Sequence, residues 1–179
     1  MKLKNKVAIV TGGGKGIGEE ISLGLAKEGA KVVVADLDKE NSSNVVKEIV
    51  KNNGDAIYVE TDVSNEASVK NLISETINRF DQIDILINNA GIRHVKKLEN
   101  HDLSDWDDMI SVNLTGPYIC CQAVIPEMKK IGKGKIINFG SIASFMGRPD
   151  RVGYVAAKSG ILGLTRALAI DLKGTNINV

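Results

Sequence analysis

At 179 residues the chain has room for one sizeable α/β domain and is short for two. Its 23 basic and 22 acidic residues balance, with no long run of one sign, so it lacks the electrostatic footprint of a nucleic-acid binder. The basic opening, Met1 to Lys6, leads into an apolar run of only residues 7–10, too short for a signal-peptide core of roughly 7–15 residues, and no stretch approaches a membrane span. These features predict a cytoplasmic protein with no nucleic-acid or membrane partner. Cys120 and Cys121 are adjacent in a helical pattern, which suits two reduced thiols better than a disulfide or a zinc site.

In chain order, residues 7–10 (VAIV) read as a buried strand ending in Thr11 and glycines, after which Ile17, Ile21 and Leu25 recur at helical spacing. Further strands are predicted at 31–35 (KVVVA), 56–60 (AIYVE), 85–87 (ILI) and 136–139 (IINF). Between and after them lie helical patterns at 40–51, 67–80, 104–130 and 152–173. Short apolar strands alternating with helices predict a parallel sheet buried on both faces, in the order 3-2-1-4-5. The longest loops, 91–103 and 141–151, leave the carboxyl ends of strands, where ligands bind in a doubly wound sheet.

The first turn, Thr11-Gly12-Gly13-Gly14-Lys15-Gly16-Ile17-Gly18, has the frame T-G-x-x-x-G-x-G. Gly12 suits a tight turn, Gly16 a close approach to a pyrophosphate, and Gly18 close packing of the helix on the sheet. Such a turn alone equally suits a plain βα connection. Asp36, followed by Leu37 at the end of the second strand, adds a carboxylate placed for the adenosine ribose hydroxyls, which favours NAD and repels the 2′-phosphate of NADP. Lys15 opposes that preference, because an ammonium in the turn can reach a 2′-phosphate.

Tyr154 and Lys158 stand at i and i+4 on one helical face. A free phenol titrates near pH ~10, and a neighbouring cation favours the phenolate, so the pair reads as a general acid/base and its activator. Ser141 follows the fifth strand, where a hydroxyl can polarise a substrate oxygen. His94 and His101 have no clustered carboxylate or thiolate and read as loop residues, so no metal is expected. Trp106, with Met109 and Ile110, reads as core packing.

Together, Thr11-Gly12-x-x-x-Gly16-x-Gly18, Asp62-Val63, Asn88-Asn89-Ala90-Gly91, Asn113, Ser141 and Tyr154-x-x-x-Lys158 resemble, in order and spacing, the classical short-chain dehydrogenase/reductase family. The likeness runs over essentially the whole chain, towards 3-oxoacyl-carrier-protein reductase and sugar or alcohol dehydrogenase members. It implies a single Rossmann-fold domain over 1–179, a nicotinamide cofactor, which Asp36 makes NAD rather than NADP, and hydride transfer to or from an alcohol or carbonyl substrate. By resemblance, Asn113, Ser141, Tyr154 and Lys158 carry catalysis. The cofactor would lie against Gly12, Gly14, Lys15, Gly16, Ile17, Gly18, Asp36, Leu37, Asp62, Val63, Asn89, Ala90 and Gly91, and against Tyr154 and Lys158. A homo-oligomer is implied through the helix of Tyr154 and Lys158, with Gly160, Ile161, Gly163, Leu164 and Ala167 as its close-approach residues.

The last residues, Asn176 to Val179, look like the opening of a sixth strand that stops as a stub, incomplete at the C-terminal edge. The resemblance implies further elements there, a Pro-Gly turn, substrate-covering helices and a seventh strand. Their absence makes little or no activity the expectation for this chain alone. A non-catalytic remnant that binds a dinucleotide or a longer relative is therefore the alternative to an active enzyme.

Overall fold

The computed structural model describes all 179 residues, and its six strands form one parallel sheet in the order β3-β2-β1-β4-β5-β6. They are β1 (Val7–Thr11), β2 (Lys31–Asp36), β3 (Ala56–Glu60), β4 (Ile85–Asn88), β5 (Gly134–Asn138) and a two-residue β6 (Ile177–Asn178). The predicted order holds, and the sixth strand is a stub paired to β5 at Gly134↔Ile177.

Alternation along the strands divides the core into two layers. Val7 and Ile9 of β1, with Val33 of β2, pack towards α3 (Glu66–Phe80) and α5 (Gly116–Ile131) through Val69, Leu72 and Val124. Their neighbours Ala8, Val10, Val32 and Val34 face α1 (Gly16–Lys27) and α2 (Lys39–Lys51) through Val45 and Ile49. Consecutive apolar residues in β1 and β2 are thus the mark of a sheet sandwiched between helices. In β5 the expectation of two buried faces fails. Ile136 is buried but Ile137 is 50% exposed, because α1 and α2 lie over β1 to β3 and no helix covers that face of β5.

The predicted single helix over 104–130 is three pieces: α4 (Leu103–Ile110), one π turn (Ser111–Thr115) and α5. Two sequence features explain the break. Pro117 has no N–H to donate to the Asn113 carbonyl four residues back. Asn113, fully buried, turns its side chain onto the backbone, its Nδ2 donating to Met109 O at 3.0 Å and to Ile92 O at 3.0 Å. A π turn widens the helix enough to seat that side chain.

The last helix, α6 (Val152–Asp171), buries Gly153, Ala157, Lys158 and Ile161. Gly153 is required by contact, since a methyl group there would stand 3.0 Å from Met109 Cγ. Trp106 is corrected from core packing: it lies against this first turn of α6 but is 39% exposed, because α4 is a short helix at the rim of the domain. Two of the close-approach residues of α6 pack within the domain. Ile161 is buried, and a side chain at Gly160 would meet Leu114, whereas Gly163 and Ala167 face outward.

Candidate active site

The glycine turn leaves β1 at Thr11 and enters α1 at Gly16. Gly12 and Gly16 both have positive φ, +61° and +58°, a region that costs an L side chain energy. At Gly18 the need is contact, because any side chain would be driven into the Gly12 carbonyl oxygen. Lys15 caps α1 with backbone only, and no side chain bonds the first-turn N–H groups. That end of the helix therefore offers free donors and the positive end of its dipole to an anion.

Asp36 is fixed beside this turn. Its Oδ2 accepts from Gly14 N–H and its Oδ1 from Asp38 N–H, both at 3.0 Å. Gly14 packs against the fully buried Ser42, whose hydroxyl has no partner. Just after β3, Asp62 accepts from Ser64 N–H at 2.9 Å and Ser64 Oγ at 2.6 Å, while Val63 is buried against Gly116. The Asn-Asn-Ala-Gly turn is stitched to the end of β1: Asn89 Nδ2 donates to Thr11 O and Gly12 O at 3.0 Å, and Thr11 Oγ1 accepts from Asn89 and Ala90 N–H at 3.1 Å.

Gly12, Lys15, Ile17, Gly18, Asp36, Leu37, Asp62, Val63, Asn89, Ala90 and Gly91 line one cleft of about 460 Å³. Gly14 and Gly16 lie in the turn beneath it. Sequence reasoning missed Asp38, Thr61, Ile92 and Val112, which line the same cleft. Each lies one or two residues from a predicted position, so proximity in sequence was the signal. A larger cavity, about 750 Å³, opens at the other end of the sheet beside Leu23, Ala26 and Ile49. It lies against the C-terminal turns of α1 and α2, whose carbonyls repel anions, and no predicted site residue reaches it.

None of the four proposed catalytic residues lines the glycine-turn cleft, but Asn113 and Lys158 stand behind its Gly91 wall. A methyl group at Gly91 would stand 2.8 Å from Asn113 Oδ1 and 3.7 Å from Lys158 Nζ, so both groups stand behind the Asn-Asn-Ala-Gly turn. Asn113 Oδ1 also accepts from Ile92 N–H at 3.2 Å. Lys158 is only 5% exposed and donates to Phe139 O at 2.7 Å; burial pushes its ammonium below the usual lysine range. Ser141 caps the short turn Ile142–Ser144, its Oγ accepting from Ala143 N–H at 3.1 Å. Tyr154, one helical turn before Lys158, is half-buried in the first turn of α6. His94 Nδ1 lies 3.3 Å from Asp105 Oδ1 of α4 without a hydrogen bond, and His101 Nε2 lies 2.8 Å from Lys96 O.

Comparison with known proteins gives one answer. The family model described as short chain dehydrogenase matches residues 6–179. An uncharacterized oxidoreductase of Thermotoga maritima is 42% identical over 177 residues, covering 99% of this chain and 69% of that protein. A 3-oxoacyl-[acyl-carrier-protein] reductase of Synechocystis is 42% identical over 178 residues, covering 99% and 72%. A crystal structure described as a short-chain alcohol dehydrogenase from Sinorhizobium meliloti superposes with a TM-score of 0.95 at 35% identity, covering 99% of this chain and 71% of that one. With this fold, this cleft and these matches, the chain belongs to the short-chain dehydrogenase family of oxidoreductases.

Proposed function

We propose that the chain binds NAD in preference to NADP and catalyses hydride transfer between that cofactor and an alcohol or ketone, with Ser141, Tyr154, Lys158 and Asn113 as its catalytic set. The observation that carries this reading is the continuity of one cleft from Asp36, past the uncapped head of α1, to Gly91 and the Lys158 ammonium behind it. The residues fit a dinucleotide. Free N–H groups at the start of α1 suit a pyrophosphate, and Asp36 suits ribose hydroxyls. Lys158 Nζ has one protein acceptor for three N–H groups, which leaves donors for the second ribose.

When bound, the nicotinamide supplies or accepts the hydride at its C4. The chain's own residues handle the oxygen and its proton. Ser141 Oγ accepts from Ala143 N–H and keeps its own hydrogen to donate to the substrate oxygen. Tyr154 takes the hydroxyl proton of an alcohol, or returns one to a carbonyl. Lys158, one turn away, holds the second ribose with the N–H groups that Phe139 leaves free. The Asn113 side chain is committed to Ile92 and Met109, so its part in a proton relay falls to its main-chain carbonyl, which Pro117 cannot engage, as the anchor of a water.

Calorimetric titration with NAD and NADP, then assay of alcohols and carbonyl compounds, tests the reading. A 3-oxoacyl thioester heads the panel, because relatives bear the name 3-oxoacyl-[acyl-carrier-protein] reductase. Saturable binding of NAD is expected; no binding of either dinucleotide overturns the assignment. The exposed Gly163 and Ala167 support self-association through α6, so Ala167→Glu should give monomers in sedimentation. An unmodified chain that is itself monomeric at high concentration refutes that part. A reducing, cytoplasmic setting suits the unpaired Cys120 and Cys121, buried thiols pushed up to about 12 by desolvation.

A further inference from the structure

Resting on the dinucleotide reading, the choice between NAD and NADP turns on Asp36, yet Lys15 lines the same cleft and is its only cationic lining residue. We propose that Asp38 is a second specificity-determining residue: its carboxylate faces Lys15 across the rim and offsets the ammonium that a 2′-phosphate would otherwise use.

The geometry begins with β2. That strand ends at Asp36, Leu37 follows in a bend at 64% exposure, and Asp38, the N-cap of α2, lines the same cleft as Asp36 and Lys15. Asp38 is held there at three atoms. Its N–H donates to Asp36 Oδ1 at 3.0 Å, its Oδ1 accepts from Asn41 N–H at 3.1 Å, and its Oδ2 accepts from Asn41 Nδ2 at 2.7 Å. Two fixed carboxylates, Asp36 and Asp38, therefore share a rim with one ammonium. Glu60, in register with Asp36 on β3, adds a third negative charge behind them, and the buried Tyr58 hydroxyl is raised by desolvation and then by Glu60, Asp36 and Asp38. The Asp38 carboxyl is itself held low, first by the Asn41 bonds and to a smaller extent by Lys15.

Lys15 has the freedom to act. It is exposed, caps α1 without a side-chain bond, and forms no ion pair within 4 Å. Without Asp38 its charge would be available to a phosphate on the adenosine ribose. With Asp38, the ammonium has a competing carboxylate across the rim and is drawn away from that phosphate.

The test uses binding alone. NAD and NADP are titrated calorimetrically into the unmodified chain, Asp38→Asn, Lys15→Ala and the double variant. Asparagine caps a helix as well as aspartate does, so Asp38→Asn should fold and bind NAD within about twofold of the unmodified chain. It should bind NADP about 5–10-fold tighter, the size expected for removing one charge from a half-exposed rim. In the Lys15→Ala background the same change should move NADP affinity by less than about twofold. Asp38→Ser, another good cap, should repeat the pattern. An unchanged NADP affinity in Asp38→Asn, with NAD still bound, overturns this inference and leaves the dinucleotide reading intact. An equal gain in both backgrounds also overturns it, since Asp38 would then act on the phosphate and not on Lys15. If the unmodified chain binds neither cofactor, the dinucleotide reading falls and takes this inference with it.

Discussion

At the amino ends of the strands Asp84 is closed on every side, whereas at the carboxyl ends the buried polar groups keep spare hydrogen-bonding capacity. Asp84, just before β4 and 3% exposed, accepts from Lys6 Nζ at 2.8 Å, from Val7 N–H at 3.0 Å and from Gln82 Nε2. Across the sheet, Lys158 has a single acceptor, Asn88 Oδ1 is buried without a donor, and the first turn of α1 has no side-chain cap. A buried polar group with all its bonds made contributes to a rigid fold, and one with bonds to spare is costly unless something else completes it. The difference separates the end that holds the domain together from the end left ready for a ligand.

Five variants put that comparison at risk. The largest expected effect is on chemistry: in a catalytically competent form extended with the C-terminal elements of its relatives, Tyr154→Phe should lower turnover by about 10²–10⁴-fold while leaving the affinity for NAD unchanged, measured by steady-state kinetics and calorimetry. Undiminished turnover would remove Tyr154 from its role. Next, Asp84→Ala should cost about 3 kcal/mol in urea denaturation, because it strands Val7 N–H and the Lys6 ammonium, yet leave NAD affinity of the folded protein unchanged. A loss of NAD affinity would mean that the two ends are coupled. Asp36→Ala should narrow the preference for NAD over NADP by roughly tenfold, since it removes both the ribose acceptor and a repelling charge. Persistence of the full preference would shift the determinant elsewhere.

The smallest effect is the most pointed. Lys158→Met should leave the folding free energy unchanged or raise it by about 1 kcal/mol, although it weakens NAD binding, because an incompletely paired buried charge is exchanged for an apolar side chain. A clear destabilisation would show that the Phe139 bond alone satisfies the ammonium. The pH dependence carries the same contrast. Lys6 is raised, chiefly by its bond to Asp84, so its contribution is fully present below the ordinary lysine value of 10.5 and is lost as pH rises through the higher folded value. Lys158 is lowered by burial, so it costs stability at neutral pH, and that cost is relieved as pH climbs from the folded value towards 10.5. Denaturation of the Lys6→Met and Lys158→Met variants across alkaline pH should show opposite slopes relative to the unmodified chain.

Much of the fold was legible because strand and helix announce themselves locally. The runs VAIV and KVVVA have apolar residues on both faces, and the structure accordingly buries them in two different layers. The π turn was not legible as such, although Pro117 stood in the sequence, because the widening depends on Asn113 reaching Ile92, 21 residues earlier. The same applies to Trp106 and Ile137. Their apolar character predicts burial, but whether another element lies over them is a property of the assembled domain.

For the site, the residue types and their order were written in the chain: the T-G-x-x-x-G-x-G turn, the acid after β2, the Asn-Asn-Ala-Gly turn, Ser141, and the Tyr154–Lys158 pair. Each rests on short-range geometry, a turn, a strand end or one helical period, which spacing alone encodes. What only the tertiary structure decided was which bonds these groups already have. Asn113 is spent on Ile92 and Met109, Asp36 is clasped by Gly14 and Asp38, and Lys158 hangs from Phe139 with donors left over. Ile92, Gly14 and Phe139 come from segments about 20 residues away in the chain, and hydrogen bonds form only where the packed chain brings donor and acceptor within about 3 Å.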